Sequence, residues 1–155
     1  MKVAVIGTGL IGGSMALKLK DKGLARHVTG IDSSAQHLQE AIDLNIIDAA
    51  ASLEDGIKDA DLVIVAIPVD AAKEILPKVL DSIAPNQTVM DAGSTKAGIS
   101  EAVKNHPSRE RYVAFHPMWG TENSGPAAAM KDSFSGRAAV ICDQSLSAAD
   151  ALQTA

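Results

Sequence analysis

Three glycines within six residues constrain the fold of this chain more than any other feature. Gly7, Gly9 and Gly12 follow the apolar run Lys2–Ile6 and precede a segment with helical periodicity. In that context the first glycine permits a tight turn, the second lets the backbone approach a ligand without an intervening Cβ, and the third allows close helix–strand packing. The N-terminus of such a helix attracts anions. The motif therefore predicts a strand–turn–helix unit that binds the pyrophosphate of a dinucleotide.

A carboxylate lies where that interpretation requires one. Asp32 follows the last glycine of the motif by about twenty residues and ends a second predicted strand, where it can accept hydrogen bonds from ribose hydroxyls. It would repel a 2′-phosphate, and the following Ser33 and Ser34 supply no arginine, so NAD is favoured and NADP is less favoured. Taken singly, the glycines could form an ordinary turn and Asp32 could cap a helix. The predicted cofactor-binding residues are Gly7, Gly9, Leu10, Ile11, Gly12, Asp32, Ser33, Ala66 and Pro68.

Short runs rich in Val and Ile alternate with longer segments of helical periodicity, which predicts an α/β fold: a Rossmann-like, doubly wound, mostly parallel sheet with helices on both faces. Ala66 and Pro68 end the fourth strand, beside the point where the strand order of such a sheet reverses. They are expected to line the nicotinamide side, although Pro68 could simply end the strand. The predicted strands are Lys2–Ile6, Val28–Ile31, Leu62–Ala66, Thr88–Asp91, Tyr112–Phe115 and Ala138–Cys142, with a weaker one near Ile47–Ala49. The predicted helices are Leu10–Lys22, Ala35–Asp43, Ala71–Ser82 and Ala97–Asn105, the last capped by Ser94 or Thr95.

Composition narrows the classes of function. The 155 residues are 46% hydrophobic and carry a net charge of -5, which indicates one globular domain and argues against nucleic-acid or anionic-membrane partners. Cys142 is the only cysteine, which excludes an internal disulfide, offers no metal-binding pattern and favours a reducing compartment. The apolar N-terminus resembles a signal peptide, but glycines and Thr8 interrupt it, and no segment reaches the ~18 apolar residues of a membrane span. We expect a soluble, cytoplasmic protein.

Two polar clusters follow predicted strands, at Asp91–Lys96 and at His116–Gly125. Because the carboxyl ends of strands in an open α/β sheet face one crevice, the two clusters should converge near the nicotinamide. Such a set can orient a hydroxylated anion and accept a proton as hydride leaves. Each member also has an ordinary structural explanation: a helix cap, a surface cation, a hydrogen-bonded histidine or a solvated carboxylate. The candidates are His116 and Ser94 as catalytic residues, and Thr95, Lys96 and Glu122 in the substrate pocket.

The motifs Gly-x-Gly-Leu-Ile-Gly-Gly-Ser, Gly-Ser-Thr-Lys and His-Pro-Met-x-Gly-x-Glu-x-Ser-Gly occur in this order. Together they resemble the prephenate/arogenate dehydrogenase family over essentially the whole chain. The resemblance implies NAD-dependent oxidative decarboxylation of prephenate to 4-hydroxyphenylpyruvate in tyrosine biosynthesis. It implies that His116 accepts the proton of the ring hydroxyl, that Ser94 orients this hydroxyl and the histidine, and that Glu122 shapes or gates the pocket.

Members of that family continue into a helical domain that forms a homodimer and supplies an arginine for the substrate carboxylate. The resemblance thus implies a dinucleotide-binding domain at residues 1–146. Residues 147–155 would begin a helix, capped by Ser147, leading to a domain that the sequence lacks. Alone, the 155 residues are expected to bind NAD but to turn over prephenate poorly. Whether the substrate is prephenate or arogenate stays open, and so do two alternatives: another hydroxyacid-type dehydrogenase, or a non-catalytic dinucleotide-binding module.

Finally, the segment from Gly120 to Gly136 is rich in Gly, Ser, Asn, Pro and Ala. It predicts an active-site loop or flap with a short helix around Ala127–Lys131.

Overall fold

Seven strands form one sheet in the computed structural model, which describes residues 1–155. The strands are β1 (Lys2–Ile6), β2 (His27–Ile31), β3 (Ala49–Ala50), β4 (Leu62–Val65), β5 (Thr88–Asp91), β6 (Tyr112–Pro117) and β7 (Ala139–Cys142). The α-helices are α1 (Leu10–Asp21), α2 (Ala35–Asp43), α3 (Leu53–Lys58), α4 (Val69–Ser82), α5 (Ala97–Val103) and α6 (Ala149–Thr154). No helix is long and apolar enough to cross a membrane.

The strand order is β3-β2-β1-β4-β5-β6-β7. Every neighbouring pair from β3 to β6 is parallel, and only β7 runs antiparallel to its neighbour β6. The chain proceeds outward from β1 to β3 and then returns to place β4 on the other side of β1. The order therefore reverses between β1 and β4, where ligands bind in sheets of this type. The predicted doubly wound, mostly parallel α/β fold is confirmed.

Alternating side chains of the central strands feed two separate cores. Ala4 and Ile6 of β1 belong to the core beneath α3, α4 and α5, whereas Val3 and Val5 belong to the core beneath α1, α2 and α6. Leu76, with no exposed surface, shows how α4 buries its apolar side. Since burying one such side chain contributes about 1.5–3 kcal/mol, these two layers hold the strand ends in fixed positions.

Several predicted boundaries shift. Helix α3 was not predicted; its N-cap is Ser52, whose hydroxyl accepts a hydrogen bond from the amide of Asp55. The prediction that Ser94 or Thr95 caps α5 was wrong. The N-cap position falls on Lys96, and no side chain caps the helix. The other shifts amount to one or two residues: β2 starts one residue early, β3 is Ala49–Ala50, β4 ends at Val65, β6 extends to Pro117, β7 starts at Ala139, α1 and α5 end early and α4 starts at Val69.

The C-terminal helix differs in its cap. Ser147 does not cap α6; its hydroxyl donates to the carbonyl of Tyr112 at 2.7 Å, and the N-cap position falls on Ala148. Arg111 donates from Nη1 to both carboxylate oxygens of Asp150 at 2.8 Å, which pins α6 beside β6.

The loop predicted between residues 120 and 136 is partly anchored. It contains one turn of 3-10 helix at Pro126–Ala128 rather than a helix around Ala127–Lys131. The amide of Met130 donates to the Ser14 hydroxyl of α1 at 2.8 Å, and Ser133 is buried. This second half of the loop packs on α1 and leaves residues 119–121 at the end of β6 to face the open crevice.

Candidate active site

The glycine turn between β1 and α1 has two glycines that the fold itself requires. Gly7 has φ +92°, and a Cβ there would lie 2.4 Å from the carbonyl oxygen of Ala66. A Cβ at Gly12 would lie 2.0 Å from the carbonyl oxygen of Gly7. Both contacts involve backbone, which cannot move aside, so these glycines let the start of α1 sit tightly against the ends of β1 and β4.

Gly9 is different, because the fold gives no reason for a glycine there. Its φ is an ordinary -74°, and the nearest atom to an added Cβ is the amide nitrogen of Gly125 at 3.9 Å. The missing side chain therefore leaves open space directly before the N-terminus of α1, where the first backbone N–H groups have no acceptor within the helix. An anionic group can approach the backbone at this point.

Asp32, at the end of β2, is held by its own surroundings. One carboxylate oxygen accepts hydrogen bonds from the amide and hydroxyl of Thr8 at 3.0 and 3.1 Å, and the other accepts from the amide of Ser34 at 2.9 Å. Burial raises the pKa of the Asp32 carboxyl, but these hydrogen bonds outweigh burial and hold the pKa below its ordinary value. Asp32 is thus kept ionised and oriented, with its side chain still 11% exposed.

Two adjoining clefts run along the carboxyl edge of the sheet. The first, here called the Asp32 cleft, has a volume of about 620 Å³ and lies between the end of β2 and the start of α4. The second, the His116 cleft, has a volume of about 380 Å³ and lies over the ends of β4, β5 and β6. Both are lined by Ile67 and Pro68, so they meet above the point where the strand order reverses.

The predicted residues distribute between the two clefts as an extended ligand would require. Asp32 and Ser33 line the first cleft. The His116 cleft contains the start of α1, the end of β4 and both predicted catalytic side chains: Leu10, Ile11, Ala66, Pro68, Ser94 and His116. Leu10 and Ile11 lie directly after the glycine turn. Because the two clefts share Ile67 and Pro68, one groove passes from Asp32 past the end of β4 to His116. The predicted glycines of the β1–α1 turn line neither cleft.

His116 is half-buried on β6, lines the cleft, and its ring makes no hydrogen bond within the chain. Ser94 lies across the cleft in the turn after β5, exposed, with a hydroxyl that likewise has no partner in the chain. A free imidazole and a free hydroxyl facing one cavity can bind, and exchange protons with, a hydroxylated ligand placed between them.

Three further predicted pocket residues lie outside the lining of this cleft. Thr95 and Glu122 are exposed to solvent. Lys96 turns away and pairs with the buried carboxylate of Asp91. Burial lowers the pKa of Lys96, and Asp91 only partly offsets that effect.

Several residues that line the cleft were not among the predicted site residues, and Trp119 and Thr121 are two of them. Both belong to the His-Pro motif segment, but nothing in their spacing distinguished them from Glu122. Trp119 stacks edge to face on Phe134 at 5.5 Å between ring centroids, and Thr121 accepts a hydrogen bond from the amide of Asn123 at 3.1 Å. The contact with Phe134, which only the folded loop creates, holds Trp119 in place.

The arrangement of the groove fits a dinucleotide. It has a carboxylate at one end for ribose hydroxyls, an open backbone at Gly9 before a twelve-residue helix for the pyrophosphate, and an apolar floor at Ala66–Pro68 for a planar ring. These are the residues that could hold such a cofactor, and His116 and Ser94 would lie at its ring end.

Comparison with known proteins agrees with this geometry. Residues 15–155 match the family model described as prephenate dehydrogenase, nucleotide-binding domain. The prephenate dehydrogenase of Bacillus subtilis is 38% identical over 130 residues, which make up 82% of this chain and 35% of that protein. Across the curated relatives that it matches, the chain spans between 35% and 52% of their length.

Solved structures give the same result. The crystal structure of prephenate dehydrogenase from A. aeolicus in complex with hydroxyphenyl propionate and NAD+ has a TM-score of 0.89 and 29% identity, covering 99% of this chain and 54% of that one. Synechocystis arogenate dehydrogenase has a TM-score of 0.88 and 25% identity, covering 99% of this chain and 54% of that one. With the family model matching nearly the entire sequence, the chain belongs to the prephenate dehydrogenase nucleotide-binding domain family.

Proposed function

We propose that the protein carries the cofactor-binding and proton-accepting half of an NAD-dependent prephenate dehydrogenase. The reaction converts prephenate and NAD+ into 4-hydroxyphenylpyruvate, carbon dioxide and NADH. The observation that carries the proposal is that His116 and Ser94 line one cleft together with Leu10 and Ile11, the first residues of α1. That relatives with this function have the same fold adds support, among them the A. aeolicus enzyme in its complex with NAD+.

The cofactor would lie along the groove. Its pyrophosphate would approach the backbone at Gly9 and the N-terminus of α1, and Asp32 and Ser33 would bind the adenosine ribose. Asp32 is kept ionised by its hydrogen bonds, so it would repel a 2′-phosphate and favour NAD over NADP. Bound NAD+ supplies the hydride acceptor for the reaction.

His116 is the proposed base. An uncharged imidazole nitrogen accepts the proton of the substrate's ring hydroxyl while the carbon bearing that hydroxyl gives up hydride. Since the His116 ring lines the cleft and makes no hydrogen bond within the chain, its nitrogens are free to bind the substrate. Ser94, on the other side of the cleft, would hold the same hydroxyl and orient it toward His116.

Loss of carbon dioxide completes the reaction. When the ring carbon becomes a carbonyl, the bond to the ring carboxylate breaks, carbon dioxide leaves, and its electron pair enters the ring. The carbonyl oxygen takes up a proton, which His116 can return, and the product is a phenol. The protein's part is to exclude water and hold the ring, for which the apolar walls at Ile67, Pro68 and Trp119 are suited.

The remaining assignments follow from the same proposal. Thr95, Lys96 and Glu122 stay candidates for shaping the substrate pocket, although all three lie outside the cleft lining. We also propose a role in tyrosine biosynthesis, a cytoplasmic location, and a homodimer at full natural length. Residues 1–146 would form the cofactor domain, and 147–155 would lead toward a helical domain that grips the substrate carboxylate.

The test is NADH formation with prephenate in the protein at its full natural length, comparing wild type with His116→Asn. Loss of the proton acceptor should lower kcat by about 10²–10⁴-fold. The affinity for NAD+ should be unchanged. His27→Asn is the matched control, because His27 begins β2 at the opposite end of the sheet and should leave kcat unaltered.

The competing functions give different results. A dinucleotide-binding module without catalysis would bind NAD+ but form no NADH with any ring substrate. Another hydroxyacid dehydrogenase would reduce NAD+ with a simple hydroxyacid and not with prephenate or arogenate. Full activity in His116→Asn would contradict the proposed base.

A further inference from the structure

A buried ionic cluster lies directly beneath the Ser94 turn, and none of its side chains lines the His116 cleft. Its centre is Asp91, the last residue of β5, whose side chain has no exposed surface. The hydroxyl of Tyr112 donates to one carboxylate oxygen at 2.7 Å. The other oxygen accepts from the amide of Gly93 at 2.9 Å and from the ammonium of Lys96.

These partners connect Asp91 to the Ser94 turn, to the start of α5 and to β6. Gly93 immediately precedes Ser94, and Lys96 is the residue from which α5 begins. Tyr112 is the first residue of β6, the strand that carries His116. One carboxylate therefore fixes both ends of the turn that carries Ser94 and ties it to the strand that carries His116.

The fit of the turn against this carboxylate is close. A Cβ added at Gly93 would lie 2.9 Å from an Asp91 oxygen and 2.8 Å from Cδ1 of Ile99. Only a glycine lets the backbone come near enough to donate its amide to Asp91. Along the sheet, Asp91 pairs with Ala114, two residues before His116, so the carboxylate lies level with the floor of the cleft.

The charges of the cluster are balanced internally. Lys96 is 11% exposed and makes its ion pair only with Asp91. Burial and the neighbouring Asp91 raise the pKa of Tyr112, so its hydroxyl remains a donor to the carboxylate at all ordinary pH values. All three hydrogen bonds that Asp91 accepts come from groups of the protein itself.

We infer that Asp91, held by Lys96 and Tyr112, is a positioning residue that sets Ser94 in its place opposite His116. The inference rests on the proposed function of Ser94. It also gives Lys96 a role different from contact with substrate: Lys96 neutralises and orients Asp91. Both residues act on the reaction through Ser94.

The experiment is a double-mutant cycle in the protein at its full natural length. Asp91→Asn, Ser94→Ala and the double variant are compared with wild type for kcat and KM with prephenate, and for NAD+ affinity. Asp91→Asn keeps the shape of the side chain but removes the charge that pairs with Lys96 and replaces one acceptor oxygen with an NH2 group, so the turn is held less firmly. Because misplacement of a reacting group by ~1 Å can cost about 10²-fold, we expect a loss of kcat of that order.

The cycle distinguishes the possible results. If Asp91 acts through Ser94, the double variant is no slower than Ser94→Ala alone, and NAD+ affinity is unchanged in all three. If the two losses multiply, Asp91 acts independently of Ser94 and the inference is wrong. If Ser94→Ala is fully active, the role proposed for Ser94 fails first, which separates an error in the function from an error in the positioning.

Two further variants cover the chance that Asp91→Asn does not fold. Tyr112→Phe removes one hydrogen bond and no charge, and should show a smaller loss of kcat that also disappears in the Ser94→Ala background. Thr88→Val is the matched control: Thr88 is buried at the other end of β5 and accepts a hydrogen bond from Arg111 at 3.3 Å. It should lower stability without changing kcat; an equal loss of kcat in Thr88→Val would mean that general loosening of β5, not positioning, explains the effect.

Discussion

Gly9→Ala should separate cofactor binding from folding. Gly9 has a backbone conformation open to any residue, and an added methyl group has no protein atom closer than 3.9 Å. Substituting alanine for glycine at a compatible position alters stability by about 0.4–1 kcal/mol, usually in the stabilising direction, because the unfolded chain loses freedom. The folded domain should therefore tolerate this methyl group, and the thermal midpoint should stay the same or rise slightly.

Binding should respond in the opposite way. The methyl group would occupy the space before the N-terminus of α1 through which the pyrophosphate must approach. Losing one or two hydrogen bonds to a charged group costs about 1.5–3 kcal/mol each. Since 1.4 kcal/mol is tenfold in affinity, the Kd for NAD+ should rise by about 10- to 100-fold or more.

The chain has a built-in reporter for this assay. Trp119 is the only tryptophan and lines the His116 cleft, so NAD+ or NADH binding can be followed by its fluorescence. Gly12→Ala is the contrasting variant, because its Cβ would meet a backbone oxygen at 2.0 Å. Overpacking of this kind costs about 3 kcal/mol, or roughly 6–12 °C in thermal midpoint for a domain of this size. If Gly9→Ala bound NAD+ as tightly as wild type, or lost stability as Gly12→Ala does, the reasoning about the open backbone would be refuted.

Further predictions concern charge. Asp32→Asn should weaken NAD+ binding by about 10- to 100-fold, since a hydrogen bond to a charged group is lost, and should narrow the preference over NADP+; parallel titrations of both cofactors measure this, and an unchanged preference would contradict it. The lowered pKa of Asp32 means that its contribution to stability is complete above its unfolded pKa and is lost as the pH falls through the folded one. Thermal midpoints of Asp32→Asn should therefore fall less than those of wild type below about pH 4. Tyr112, with a raised pKa, has the opposite sign: its unfolded form ionises above about pH 10 while the folded form stays neutral, so stability falls above that pH. In urea unfolding, the free energy of unfolding of Tyr112→Phe should not show this fall above about pH 10. If it fell with pH as steeply as that of wild type, Tyr112 would not be the group responsible.

The first half of the fold could be predicted because its signals are local. Val3–Ile6 is a continuous apolar run followed by the glycine turn, and it is buried throughout as part of an interior strand. Helix α3 was missed because it has only six residues and includes Gly56, although Ser52 and Asp55 form a capping pair that could have indicated it. The prediction that Ser147 caps α6 was wrong because its hydroxyl donates instead to the carbonyl of Tyr112, 35 residues earlier in the chain.

Part of the candidate site could likewise be predicted from the sequence, and part could not. Asp32 and Ser94 follow strands and His116 lies near the end of one, so the geometry of a parallel sheet alone brings them to one edge. The position of the Lys96 side chain depends on the buried pair Asp91 and Tyr112. These two residues lie 21 residues apart and meet only in the folded sheet. No spacing rule contains that information. The same holds for Trp119, whose place in the cleft depends on Phe134 in a loop without periodicity.

The most direct test of the account is a crystal structure of the protein with NAD+ bound. The account predicts adenosine ribose hydroxyls on Asp32, the pyrophosphate at Gly9, and the nicotinamide ring in the His116 cleft with Ser94 and His116 beside it. A cofactor bound elsewhere, or a nicotinamide ring that lies outside this cleft and away from His116, would contradict it.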